Sequence, residues 1–411
     1  MNATPEAAPE AAPVAAPDAA SGPARRHATL LHAPRYRGHS YGDNHPLGIP
    51  RVSLTIDLIE AYDAVTPGEM AVTRKAMPAE LEWLHTRDYV TAMQRAEALG
   101  KVFQRYRDRH NIGNFENPFF AGFFSTPATA TYGSIQGAEV VLEGGMAFNP
   151  AGGMHHAAPD QARGFCYFND CALGIMRLRQ RGARVLYLDI DAHHGDGVEA
   201  AFADDPDVLT VSLHMDTEYG YPFQGGRIED TGRLGNAVNL PLPKETNDTE
   251  FHSAFSRIWE AARTRWQPDY VVVQAGTDAL LPDPLGKFGI STQCFLACID
   301  DVIETSPRHG DGTPKLLVLG GGGYHPLALA RCWTGVWAQL TGRELPALLP
   351  EAGQALLREV DWDMDEEEEW YDNLFVSRLD ADRSGPVRAE LEQRLERLFR
   401  THPLLRSAAG G

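Results

Sequence analysis

Four short runs rich in Val, Leu and Ile constrain this chain more than any other feature: RVLYLDID, VLTVSLH, YVVVQAGTD and KLLVLGGGGY, separated by stretches of helical periodicity. A strand with one wet face alternates apolar and polar residues. These runs are apolar at nearly every position, so both faces must be covered. Apolar strands separated by helices predict a parallel sheet between helical layers, an α/β domain. ATLLHA and MAFNPA read as further short strands, while PRVSLTIDLIEAYDAV, PAELEWLHTRDYVTAMQRAEAL, GSIQGAEVVLEGG and VRAELEQRLERLF read as helices. Residues 1–24 are Ala/Pro-rich and cannot offset their ordering entropy, so a disordered tail is expected there. One folded unit is expected over 25–400, carrying an acidic stretch at 361–372, with 401–411 fraying.

Ligands of parallel α/β sheets bind beyond the carboxyl ends of the strands. RVLYL runs into Asp189, Asp191 and His193; YVVVQ into Asp278; KLLVL into Gly320–Gly323 and Tyr324; MAFNPA into Gly152, Gly153, His155 and His156. In extended backbone, residues two apart share a side, so Asp189, Asp191 and His193 do too. Asp191 and His193 can grip a divalent metal, and Asp278 can supply a third ligand from another strand end. Three protein ligands with one open position is the pattern of a catalytic zinc site. Two carboxylates and a neutral imidazole cancel the charge of a divalent cation. Such a site is a weaker Lewis acid than one built of three imidazoles and needs a general base and hydrogen-bond donors. His155 and His156 can be the base, oriented by Asp189 and Asp196. Tyr324 can donate to a polarised carbonyl. GGGGYHP has neither a Lys-Ser/Thr ending nor GxGxxG spacing, which disfavours a phosphate cradle.

The formal net charge is -19, from 56 acidic and 37 basic residues, which argues against a nucleic-acid partner and suits a cationic substrate. No apolar run reaches about 18 residues, so no membrane span is expected. Five cysteines without knuckle spacing predict reduced thiols and a cytoplasmic protein.

GGMHHA (152–157), GFCYFND (164–170), DIDAHHGDG (189–197), VSLH (211–214), QAGTDAL (274–280) and GGGGY (320–324) occur in the order seen in zinc-dependent histone deacetylases, with GDNHPLGIPR (42–51) before them. The chain resembles that family, which includes bacterial acetylpolyamine amidohydrolases and acetoin-utilisation proteins, over roughly residues 27–337. The resemblance implies an arginase/deacetylase-like three-layer sandwich with a mostly parallel eight-stranded sheet. It implies zinc, or ferrous iron, on Asp191, His193 and Asp278, with His155 paired to Asp189, His156 paired to Asp196, and Tyr324 as oxyanion donor. It places potassium on Asp189, Asp191, His193, Ser212 and Leu213, and a second, peripheral potassium around Phe202, Asp205 and Val208. Gly164, Phe165 and Tyr221 become channel walls, with Phe in many relatives where Tyr221 stands. Leu285 falls at the rim, and Glu116 aligns with a rim carboxylate that holds the substrate backbone. The implied activity is removal of acyl groups from lysine in proteins or peptides, with acetylated polyamines as the alternative substrate. A non-catalytic acyl-lysine reader is disfavoured by the intact metal, His and Tyr positions. Arginase chemistry is disfavoured because QAGTDAL supplies only one ligand.

Overall fold

The computed structural model describes residues 27–38, 41–42, 45–362 and 373–406. The tail 1–24 and positions 363–372 of the acidic run lie outside the described residues. Strands β1 (Ala28–His32), β2 (Met70–Val72), β3 (Met146–Asn149), β4 (Val185–Asp189), β5 (Val208–Met215), β6 (Ala237–Leu242), β7 (Tyr270–Gln274) and β8 (Leu316–Leu319) form one sheet in the order β2-β1-β3-β8-β7-β4-β5-β6. All seven pairings are parallel.

Burial on both faces is literal. Leu186 and Leu188 of β4 point into a core with Trp259, Phe295 and Trp333, from helices Asp248–Trp266, Thr292–Thr305 and Pro326–Thr341. Val185 and Tyr187 point the opposite way, against Ala138, Ile175 and Phe202 from helices Ser125–Leu142, Asp170–Arg179 and Asp196–Phe202. This is the expected three-layer sandwich. β4 runs on into the helix Asp196–Phe202 on one face, whereas β7 leads to Thr292–Thr305 on the other, although β4 and β7 are neighbours. Their outgoing loops part and open a crevice at that switch point.

Two expectations need correction. PAELEWLHTRDYVTAMQRAEAL is two helices, Pro78–Leu81 and Arg87–Leu99, capped anew at Thr86. The break is tertiary. Thr86 N donates to Pro159 O at 2.8 Å, and buried His85 bridges Ala158 O (3.1 Å) and Asn169 N (3.0 Å). Residues 401–406 do not fray: His402 Nε2 donates to Ala237 O at 2.8 Å, and Leu405 is buried in the main core. Leu391, Leu395 and Leu398 of helix Ala389–Thr401 join that core, so a segment beyond the sequence motifs still closes the sheet at β6. The edge strands β2 and β6 escaped the sequence reading; β2 has three residues, and Pro241 breaks the strand pattern of β6.

His85 carries a stability prediction. Burial lowers its pKa from 6.5 to about 4. The unfolded chain binds a proton near pH 6.5 that the folded chain takes up only near 4, so stability present at pH 7 is lost as pH falls through that window. The depressed pKa corresponds to about 3 kcal/mol in full. Urea unfolding at pH 7 and pH 5 is expected to show a smaller drop for His85→Gln than for the wild type; equal drops would remove His85 as the cause.

Candidate metal centre and active site

Four adjacent strands, β3-β8-β7-β4, deliver the candidate residues to one end of the sheet. Asp191 and His193 follow β4, and Asp278 follows β7 in a single turn of 3-10 helix, Thr277–Ala279. One donor atom from each of Asp191, His193 and Asp278 lies within 4.8 Å of the others, and all three residues are buried. Asp278 is held by one oxygen and Asp191 by both, its Oδ1 accepting from His193 N at 2.9 Å. Asp191 Oδ2 accepts from Gln274 Nε2 at 2.7 Å and Gly322 N at 2.8 Å, and Asp278 Oδ1 accepts from Ala192 N at 2.8 Å. The other oxygens, Asp191 Oδ1 and Asp278 Oδ2, stand 3.1 and 2.9 Å from His193 Nδ1. Gly322 must be glycine, since a Cβ there would lie 2.0 Å from Asp278 Oδ2.

The two carboxylates make the group attractive to positive charge. Burial would lower the His193 pKa, but Asp278 and Asp191 outweigh it and raise it to about 10. Burial and then the charge of Asp191 push Asp278 upward. Two carboxylates and an imidazole, buried and already oriented, fit a borderline divalent ion such as zinc or ferrous iron.

His155 and His156 lie beside this group on the loop after β3. His155 Nδ1 is 2.8 Å from Asp189 Oδ2, His156 Nδ1 is 2.7 Å from Asp196 Oδ1, and the two Nε2 atoms are 3.0 Å apart. Burial works against a charge on His155, yet Asp189 and Asp191 prevail and lift it to about 9. Burial, then the charge of His155, lowers His156 to about 4. The tandem imidazoles therefore split into one that holds a proton and one that is free to accept it.

His156, His193 and Tyr324 sit at the bottom of a cavity of about 390 Å³ walled by Gly164, Phe165, Tyr221 and Leu285, with Phe115 and Glu116 at its mouth. Tyr324 keeps its proton, because burial and then Asp278 raise its pKa well above 10.0. Glu116 does stand at the rim, but its oxygens accept from Gly164 N, Tyr221 Oη and Asn111 Nδ2 of the chain itself. Asp189 and Ser212 are paired between β4 and β5, and Leu213 follows in β5. The carbonyls of Phe202, Asp205 and Val208, named above for the peripheral potassium, do converge, and they accept from Asn236 Nδ2 at 2.9, 3.1 and 3.1 Å.

Several supporting residues were missed. Asp170 receives Gly153 N (2.9 Å) and Met154 N (2.7 Å) and so fixes the histidine loop; it ends the GFCYFND motif. Tyr187 donates to Asp189 at 2.6 Å, and a polar tip inside an apolar strand was the visible signal. Asp283 accepts from both Tyr324 N (2.6 Å) and Leu285 N (2.9 Å), joining rim to floor, with nothing in LPDPLG to announce it. Arg51, buried over Trp333, donates to Gly321 O beneath the Tyr324 loop.

A parallel α/β sandwich with a buried Asp-His-Asp group, paired imidazoles and a narrow apolar channel defines a metal-dependent hydrolase. More narrowly, the chain belongs to the histone deacetylase family: the histone deacetylase domain matches residues 45–340. It is 33% identical over 330 residues to the acetoin utilization protein AcuC of Bacillus subtilis, covering 77% of this chain and 83% of that protein. It is 34% identical to histone deacetylase 8 of Xenopus tropicalis, covering 75% and 83%. Among solved structures, a histone deacetylase homologue from Aquifex aeolicus superposes with a TM-score of 0.85 at 40% identity, covering 91% of this chain and 100% of that one; a structure of such a homologue complexed with SAHA matches equally. The protein is thus a hydrolase of amide bonds, a deacetylase. No helix among the described residues is long and apolar enough to cross a membrane.

Proposed function

We propose that the protein removes acetyl or related acyl groups from the ε-amine of lysine in proteins or peptides. The observation that carries this reading is the channel: flat walls from Phe165 and Tyr221 suit a thin alkyl stem, and its floor holds His156, His193 and Tyr324. Asp191, His193 and Asp278 would hold zinc, with ferrous iron as the other fitting ion, and Asp189, Asp191, His193, Ser212 and Leu213 would surround a potassium ion. When bound, the divalent cation supplies positive charge that polarises the amide carbonyl and acidifies the attacking water. His156, neutral and steadied by Asp196, takes the water proton at Nε2. Tyr324 donates its hydroxyl to the developing oxyanion. His156 then passes the water proton to the leaving amine, while His155, kept protonated by Asp189, supplies positive charge beside it. Added positive charge at the metal group would lower both imidazoles. The five buried free cysteines fit a reducing cytoplasm.

Acetylated polyamine is the competing substrate. Its distal ammonium needs a carboxylate at the mouth, and Glu116 is engaged by the walls. Metal-reconstituted protein assayed on acetyl-lysine peptides and on acetylspermidine is expected to give a higher kcat/KM for the peptides. A preference for acetylspermidine would reverse the assignment.

A further inference from the structure

One carboxylate ties the channel walls together. Glu116 Oε1 accepts from the Gly164 amide at 2.6 Å and the Tyr221 hydroxyl at 3.2 Å, while Oε2 accepts from Asn111 Nδ2 at 3.0 Å. Gly164 and Phe165 belong to one wall, and Tyr221 forms the other. The first wall is held under constraint: Phe165 has φ +67°, a conformation that a residue with a Cβ keeps only when its surroundings enforce it. The turn itself enforces part of it, with Arg163 N and Cys166 N each donating to the other residue's carbonyl at 3.0 and 2.8 Å; the Glu116–Gly164 bond and the His45 ring add to it, the ring meeting Phe165 edge-on at 4.6 Å while its Nε2 lies 3.2 Å from the Glu116 carbonyl oxygen.

On the other wall, the Tyr221 ring meets His156 edge-on at 4.6 Å. It also presses on Gly164, where a Cβ would come within 2.8 Å of Tyr221 Cε1. A phenylalanine could make both packing contacts. Only a hydroxyl reaches Glu116, and it anchors the outer end of the ring on a turn whose next aromatic, Phe223, is 66% exposed.

We propose that Glu116 and Tyr221 form a clamp that sets the width of the channel and thereby selects acetyl over bulkier acyl groups. The proposal rests on the reading of the site as an acyl-lysine hydrolase and concerns which acyl group that site admits. Both are positioning residues, acting through Gly164, Phe165 and the placement of the Tyr221 ring. A hydrogen bond to a carboxylate is stronger than one between neutral groups, so removing either partner loosens the mouth more than loss of a hydroxyl at a solvated surface. Without the clamp the Tyr221 ring can swing outward and a wider acyl group can pass.

The test compares wild type, Tyr221→Phe, Glu116→Ala, Glu116→Gln and the Tyr221→Phe/Glu116→Ala double variant. Two readouts are kcat/KM on acetyl-lysine and branched isobutyryl-lysine peptides and amide-hydrogen exchange across 163–168, which needs no turnover. Tyr221→Phe is expected to raise the isobutyryl-to-acetyl ratio about tenfold, and Glu116→Ala at least as much. The double variant goes no further than Glu116→Ala, because the two side chains act through one bond. Glu116→Gln keeps one acceptor oxygen for Gly164 and Tyr221 but loses the charge and turns an NH2 on the Asn111 NH2, so its ratio falls between those of wild type and Glu116→Ala. Exchange at Gly164 quickens about tenfold in Glu116→Ala and less in Glu116→Gln. Unchanged ratios in the single variants, or effects that multiply in the double variant, overturn the clamp. If wild type hydrolyses neither peptide, the functional reading falls instead, and the clamp is then judged by exchange alone: fast exchange at Gly164 in wild type overturns it, and protection lost most in Glu116→Ala supports it.

Discussion

Replacing His156 with alanine is expected to lower kcat on an acetyl-lysine peptide roughly 10³-fold while the fold and the metal content persist. The imidazole is placed for one task. Its Nδ1 is engaged by Asp196 at 2.7 Å, which fixes the tautomer, and burial with the adjacent His155 keeps Nε2 free of a proton. Alanine removes the only neutral imidazole of the pair and leaves His155, which Asp189 holds protonated and which is a poor base in that state. Tyr324→Phe is expected to cost roughly 10²–10³-fold, since it deletes one oxyanion donor and leaves the Tyr324 N–Asp283 bond in place. Steady-state kinetics, circular dichroism and elemental analysis check the pair. Turnover near wild type in either variant would sink the assigned roles.

Asp278→Asn is expected to abolish activity by a different route, through loss of the divalent ion. The amide oxygen can still accept from Ala192 N, so the loop keeps its hydrogen bond. What disappears is one of the two negative charges that attract a cation. Zinc added to metal-free wild type should raise the thermal midpoint, because it binds only the folded form, at about 4 kcal/mol for a thousandfold excess over Kd. The variant should gain almost nothing from zinc. Melting curves with and without zinc test this, and equal zinc stabilisation in the two proteins would show that Asp278 is no ligand.

How much was legible in advance varies with how local each cause is. The β4, β5, β7 and β8 runs announced themselves because a strand covered on both faces must be apolar throughout, a demand each segment meets alone. The two-residue alternation that puts Asp189, Asp191 and His193 on one side is likewise a property of a few neighbouring residues. Helix breaks are different. Nothing inside PAELEWLHTRDYV requires a stop at Thr86; Pro159, Ala158 and Asn169 impose it from far along the chain.

The amino-acid order by itself determined the α/β class, the strand ends where chemistry collects, and the residue types able to grip a cation and move a proton, since all of these follow from short-range pattern and side-chain chemistry. Only the tertiary structure decided that β3, β8, β7 and β4 are neighbours, that Asp278 meets Asp191 and His193, that Asn236 stands among the carbonyls of Phe202, Asp205 and Val208, and that Glu116 braces the channel walls. Those facts depend on which distant segments pair, and pairing is settled by the burial of the whole sheet rather than by any one stretch of it.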